Sequence, residues 1–306
     1  MDQNNALKQR TARLSIISNT SLVVLKLIVG LCSGAVSIVS EAAHSGVDLV
    51  AALIAYLAVR KAAKPPDAHH AYGHGKVESL SAAIEAALIV LAAIWIVYEA
   101  LAKIYSSATP QFLEYGIAVM AVSIGVNWYV SGRLMTVARA THSQALEADA
   151  LHLKADIWTS VGVLVGLAVI KATGLGWLDP AIAIAVAAVV FRAGYKMTMK
   201  SMYELTDVSL SAEEKEIIRG VLAAHPEVIN FHQLRTRRSG SRRLIDVHLI
   251  MFKDLHLDKA HAVCDKIEAA IEAKLAPCDV IIHLEPCGYH DGFGACPLPE
   301  KENERE

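Results

Sequence analysis

Six times within its first 200 residues the chain runs through about 20 mainly apolar residues, the length a helix needs to cross a bilayer. The runs lie near 14–33, 37–59, 79–103, 112–132, 144–171 and 179–199. In hydrocarbon every backbone polar group must be satisfied inside its own segment, so these runs predict six transmembrane helices. The second and fifth are interrupted by ionisable residues, in "EAAHSGVD" (41–48) and "ADALHLKAD" (148–156). Such groups are expensive to place in lipid and need a reason to be there.

The remainder of the chain is different in kind. Of all 306 residues 54% are hydrophobic, more than a soluble chain of this length needs, yet the last hundred read as an ordinary soluble domain. The sequence therefore predicts a membrane domain over 1–207, an aqueous domain over 208–290 and a disordered tail over 291–306. A net charge of −2 argues against a nucleic-acid partner. The basic run "RTRRSGSRR" lacks interleaved aromatics and reads as the solvated tip of a hairpin. Five cysteines (Cys32, Cys264, Cys278, Cys287, Cys296) show no CxxC spacing and read as free thiols in a reducing compartment.

Charge also orients the predicted spans. Lys8, Arg10, Arg13, Arg60, Lys61, Lys64, Lys76, Arg133 and Arg139 all fall on the side of the two termini. The opposite side has little more than Lys103 and Lys171, so both termini are expected in the cytoplasm. The polar start "MDQNNALKQRTAR" is too long before the first apolar run for a typical cleaved signal. In the aqueous domain, "SAEEKEIIRGVLAAH" reads as a helix capped by Ser209 or Ser211. "VINFHQLRTRRSG" and "RRLIDVHLIMF" read as a hairpin, "LDKAHAVCDKIEAAIEAKL" as a second helix and "CDVIIHLEP" as a last strand. The order α-β-β-α-β suits helices on one face of a three-stranded sheet.

His44 and Asp48 are four residues apart and share a helix face, as do His152 and Asp156. The echo extends one turn back, to Glu41 three before His44 and Asp149 three before His152. Two helices that each offer an imidazole and a carboxylate can supply four ligands to one ion, the donor number and type zinc favours. A rival reading makes each pair a hydrogen bond within its own helix, but that does not explain why two spans match. Protonating the same groups would release the metal, so a site open alternately to two sides could exchange metal for protons, with histidine the natural carrier.

The segments "SEAAHSGVDL", "DAHHAYGHGKVES" and "SQALEADALHLKAD" resemble the signature segments of the cation diffusion facilitators, and the resemblance runs over about residues 10 to 290. It implies a homodimeric metal/proton antiporter that exports divalent cations through the inner membrane, with His44, Asp48, His152 and Asp156 as its transport site. In the bacterial zinc and ferrous-iron branch the position of His44 is usually an aspartate. The nitrogen-richer set here resembles zinc-selective members and favours Zn²⁺ over Mn²⁺, with Fe²⁺ or Cd²⁺ as alternative cargo. The resemblance further implies a loop metal site at Asp67, His70 and His74, with His69 an adjacent spare. It implies a binuclear zinc site bridging two subunits at His232, His248, His261, His283 and Glu285, where aspartate is more usual than Glu285. It also implies an ion pair between Lys76 and Asp207 at the junction of the domains. Cys287 could add a soft ligand to the binuclear site. His142, His256 and His290 read as surface residues, and Leu151 and Met197 as helix packing.

Two readings compete from other classes. An intramembrane zinc hydrolase needs a general base and an open ligand position, and HExxH is absent. A membrane metal sensor that transports nothing would need output machinery, and no kinase or DNA-binding motif is recognisable.

Overall fold

The computed structural model describes residues 2–33, 36–105, 113–173 and 178–288. The chain divides into two compact units, 1–206 and 207–306.

The first unit is built from six long helices: α1 (Asp2–Ser33), α2 (Val36–Ala62), α3 (Lys76–Tyr105), α4 (Leu113–Thr141), α5 (Gln144–Thr173) and α6 (Leu178–Leu205). Five of them are long and apolar enough to cross a membrane, over Gln3–Cys32, Glu41–Ala62, Lys76–Ala102, Ile117–Thr141 and Pro180–Leu205. The described part of α5 is shorter, and Glu147, Asp149, Lys154 and Asp156 crowd the first half of the helix. Six spans were expected, and the described residues by themselves support five.

The polar N-terminus is part of the bundle rather than a leader to it. Helix α1 starts at Asp2, with Lys8, Thr11 and Ala12 buried. Lys8 reaches Glu78 of α3 at 3.0 Å, and Ser143 donates to the other oxygen of the same carboxylate. Contacts along α1 set the directions of its neighbours. Arg13 meets Tyr56 and Lys26 meets Ser45, so α2 runs antiparallel to α1. Helix α3 lies along α6 and α4 along α5. Small residues allow the close approaches: a Cβ on Gly162 would stand 2.7 Å from Val186, and one on Gly194 would stand 3.0 Å from Ile89 and Val90.

The second unit has the order α7 (Ala212–Ala223), β1 (Val228–Ser239), β2 (Arg242–Met251), α8 (Leu257–Leu275) and β3 (Cys278–Pro286). Ser211 is the N-cap of α7 and closes a reciprocal capping box with Glu214. His256 caps α8 by accepting from the Asp258 amide, a structural job for a residue expected only at the surface. Strand β1 pairs antiparallel with β2 through a turn at Gly240, whose φ of +61° suits glycine. Strand β3 pairs parallel with β2, giving the order β1-β2-β3. Ile245, Val247, Leu249 and Met251 point to the core, where they meet Ile218 and Leu222 of α7 and Ile267 and Ile271 of α8. Two-residue alternation thus sends Asp246 and His248 to the opposite face.

The cysteines need a correction. Cys32, Cys264 and Cys278 are free, but Cys287 is disulfide-bonded, so its thiolate is not free to serve as a ligand. Burial pushes the Cys264 and Cys278 thiols up, as expected of core residues. Cys296, His290 and the predicted disordered tail lie outside the described residues.

Candidate metal centres

In the helical unit, α2 carries His44 and Asp48 and α5 carries His152 and Asp156. His44, Asp48 and Asp156 each offer a ligand atom within 4.8 Å of the others. The fourth residue joins through Asp48, whose Oδ1 lies 3.2 Å from His152 Nε2. That bond crosses between helices, so the two His–Asp pairs are not two separate intrahelical bonds. Asp48 and His152 are 6% and 5% exposed, Asp156 is half-buried and His44 is exposed. Asp156 Oδ2 and His152 Nδ1 are buried with no hydrogen-bond partner among the described residues. Two such atoms beside two imidazoles and two carboxylates make a donor set that fits a divalent cation.

In the loop after α2, Asp67, His70 and His74 form a second group with ligand atoms within 4.8 Å. Asp67 Oδ1 accepts from the backbone amides of His69 and His70 at 3.0 and 2.8 Å. The His70 amide chiefly, with that of His69, holds the Asp67 carboxyl below its ordinary range and outweighs the opposing effect of burial. His74 Nε2 lies 3.3 Å from Asp67 Oδ2, and its side chain is buried where that of His70 is half-exposed. Gly73, at φ +79°, turns the chain so that His74 faces back toward Asp67. The neighbouring His69 is exposed and outside the group.

The third group lies on the sheet. Register places His232 opposite His248 on one side of β2 and His283 opposite it on the other. Glu285 is buried and bridges, with Oε2 2.8 Å from His232 Nε2 and Oε1 2.7 Å from His248 Nδ1. The His283 ring stands 4.6 Å from that of His248, and its Nε2 is 3.9 Å from Glu285. His232, His248 and Glu285 offer ligand atoms within 4.8 Å of one another, a donor set that fits zinc, and His283 stands beside this group rather than in it. His261 is not gathered with them; it lies exposed on α8, 3.8 Å from Asp265. Lys76 donates to the Leu205 carbonyl at 3.3 Å, and Asp207 accepts from Arg237, so each has a partner within its own unit.

Comparison with known proteins decides the family. Residues 12–206 match the model of the cation efflux transmembrane domain, and residues 210–287 match that of the cation efflux protein cytoplasmic domain. The chain belongs to the cation diffusion facilitators. It is 34% identical over 276 residues to an uncharacterized transporter of Synechocystis, covering 90% of this chain and 89% of that one. It is 32% identical over 287 residues to the cation-efflux pump FieF of Cronobacter sakazakii, covering 94% and 95%. Among solved structures it resembles the metal-bound C-terminal domain of the CzcD transporter from Thermotoga maritima, at 30% identity and a TM-score of 0.24 over 25% of this chain and 90% of that one. The facilitator is therefore a multi-pass membrane transporter for cation efflux.

The sequence reading missed charges outside the second and fifth runs. Lys26 in α1 and Glu85 in α3 are buried at 4% and 0% exposure, and Glu85 Oε2 lacks a partner. Lys26 is the single ionisable residue of the run 14–33, and Glu85 stands inside the apolar run 79–103, which was signal enough to find them.

Proposed function

We propose that this facilitator is a homodimeric Zn²⁺/H⁺ antiporter that exports zinc from the cytoplasm through the inner membrane, with six transmembrane helices and both termini cytoplasmic. His44, Asp48, His152 and Asp156 bind the transported ion and are alternately protonated. The observation that carries this reading is the gathering of two carboxylates and two imidazoles from α2 and α5, with His152 on Asp48 across the helices. Such a site holds zinc while deprotonated and loses it as protons return. Its two nitrogens favour zinc over harder ions, with Fe²⁺ and Cd²⁺ the next candidates.

The loop group at Asp67, His70 and His74 captures metal on the cytoplasmic side. In the aqueous domain, the domain of 208–290, His232, His248 and Glu285 would hold one resident zinc, and His261 and His283 would serve a second. Those ions supply a fixed charge that ties the dimer geometry to cytosolic zinc. The ion pair of Lys76 with Asp207 that the family resemblance implies is part of this reading.

The test is flux in sealed proteoliposomes under a pH gradient, following Zn²⁺, Fe²⁺, Cd²⁺ and lumenal pH together. Zinc movement coupled to opposite proton movement is expected. Zinc flux that leaves lumenal pH unchanged would sink the antiport, and faster Fe²⁺ than Zn²⁺ flux would replace the cargo.

A further inference from the structure

The echo of Glu41 and Asp149, each three residues before a ligand histidine, is not used by the transport site itself. The structure resolves it asymmetrically. Contacts along α1 separate the two acids: Ser15 lies beside Asp149, whereas Lys26 reaches Glu41. Eleven residues of helix between Ser15 and Lys26 amount to roughly 16 Å, so the acids flank the site on opposite sides along the bundle axis. Asp149 and Glu85 make the first side acidic, and Asp149 is 1% exposed. The second side carries a cation.

That cation is held in a defined place. Lys26 Nζ donates to Ser45 Oγ at 2.7 Å and to Glu41 Oε1 at 3.0 Å, with the lysine side chain 4% exposed. Ser45 is the residue next to His44, and the charge of Lys26 is felt at Asp156. Its partner Glu41 is 40% exposed, so water screens the acid more than the ammonium. A lysine buried in an apolar helix beside a cation site is costly, and packing alone would be served as well by leucine or methionine. Its effect on a bound metal ion is repulsive, because like charges that share a poorly screened environment raise each other's energy.

We propose that Lys26 is a built-in counter-charge of the transport site, and that the Lys26–Glu41 pair sets the affinity for the dication so that it can leave. Two buried carboxylates and two imidazoles alone would hold a divalent ion too tightly for turnover, since transport requires binding favourable enough to load and weak enough to release. The ammonium offsets part of that attraction without occupying a ligand position. Glu41 tunes the offset by pairing with it. The proposal rests on the quartet as the transport site.

Opposite signs distinguish this from a structural ion pair. Removing the ammonium leaves Glu41 negative beside the site, and removing the carboxylate leaves Lys26 positive there. In zinc flux into proteoliposomes, Lys26→Met should lower KM by ~10-fold or more and lower kcat with it. Glu41→Gln should raise KM, and Lys26→Arg, which keeps the charge, should stay near wild type. The double variant Lys26→Met/Glu41→Gln should return toward wild-type KM. A KM that is unchanged in Lys26→Met, or that moves the same way in both single variants, overturns the proposal. Glu41→Gln and Lys26→Arg keep the test open if Lys26→Met does not fold. Asp48→Ala, run alongside, separates the two readings. Flux that survives it would remove the transport site itself, whereas lost flux with same-sign shifts at Lys26 and Glu41 would remove only the counter-charge.

Discussion

The membrane quartet and the sheet cluster use the same side chains under opposite conditions. On α2 and α5, Asp48 and His152 form a buried pair, although His44 beside them is exposed, and losing one partner of a buried pair costs about 3–5 kcal/mol. On the sheet, His232, His248 and His283 are partly or largely exposed and only Glu285 is buried. The first arrangement makes an ion and its release strongly coupled to the state of the site. The second makes a scaffold that water can share, so its metal can stabilise shape without controlling passage. Burial, rather than ligand identity, separates the two.

The largest expected effect breaks that contrast at its centre. Asp48→Ala or His152→Ala should lower zinc flux by at least ~100-fold, because each removes one of the buried ligands of the site. Normal flux in both would make the two sites equivalent and the membrane pair structural. Glu285→Gln keeps the shape and removes the charge that His232 and His248 share. It should cut the zinc retained by the full-length protein, measured by elemental analysis after dialysis, while flux at saturating zinc stays within ~3-fold. A flux loss as large as that of Asp48→Ala would show that the sheet site also controls passage.

A smaller effect concerns what holds the sheet unit together. Burial raises the Glu214 carboxyl, but hydrogen bonds from Arg243 and Arg238 outweigh it and bring it down to about 2. A lowered pKa means this contribution is complete above about 4.5, the ordinary value, and disappears as pH falls toward 2. Glu214→Gln should cost about 1–3 kcal/mol at neutral pH, read from hydrogen exchange of the β1–β2 amides, and should flatten the acid dependence. Acid dependence identical to wild type would shift the cause to another carboxylate. The smallest effect belongs to the loop. His70→Ala removes a half-exposed partner and should change the apparent KM for zinc by less than ~3-fold. A tenfold rise would promote the loop from accessory capture to an obligatory step.

Much of the candidate transport site was legible because lipid makes polar residues informative. An i, i+4 pair in an apolar run has one geometric meaning, and two pairs that match have few alternatives. The sheet site was legible by a different rule: alternation assigned Ile245, Val247, Leu249 and Met251 to one face, which left His248 on the other. Neither rule could say that His261 stands apart, since its position depends on how α8 packs on the sheet. Nor could either show Lys8 reaching Glu78, since a polar start before an apolar run carries no periodic signal of burial.

The sequence by itself determined the two-part organisation, the run of long apolar segments, the α-β-β-α-β order and the four-residue spacing of the paired ligands. All of these follow from local periodicity and composition. Tertiary structure alone decided that His152 meets Asp48 across helices, that Glu285 bridges two histidines, and that Glu41 is met by Lys26 while Asp149 is not. Those outcomes depend on which helix faces which and in what direction, and a one-dimensional pattern does not encode the direction of a neighbour.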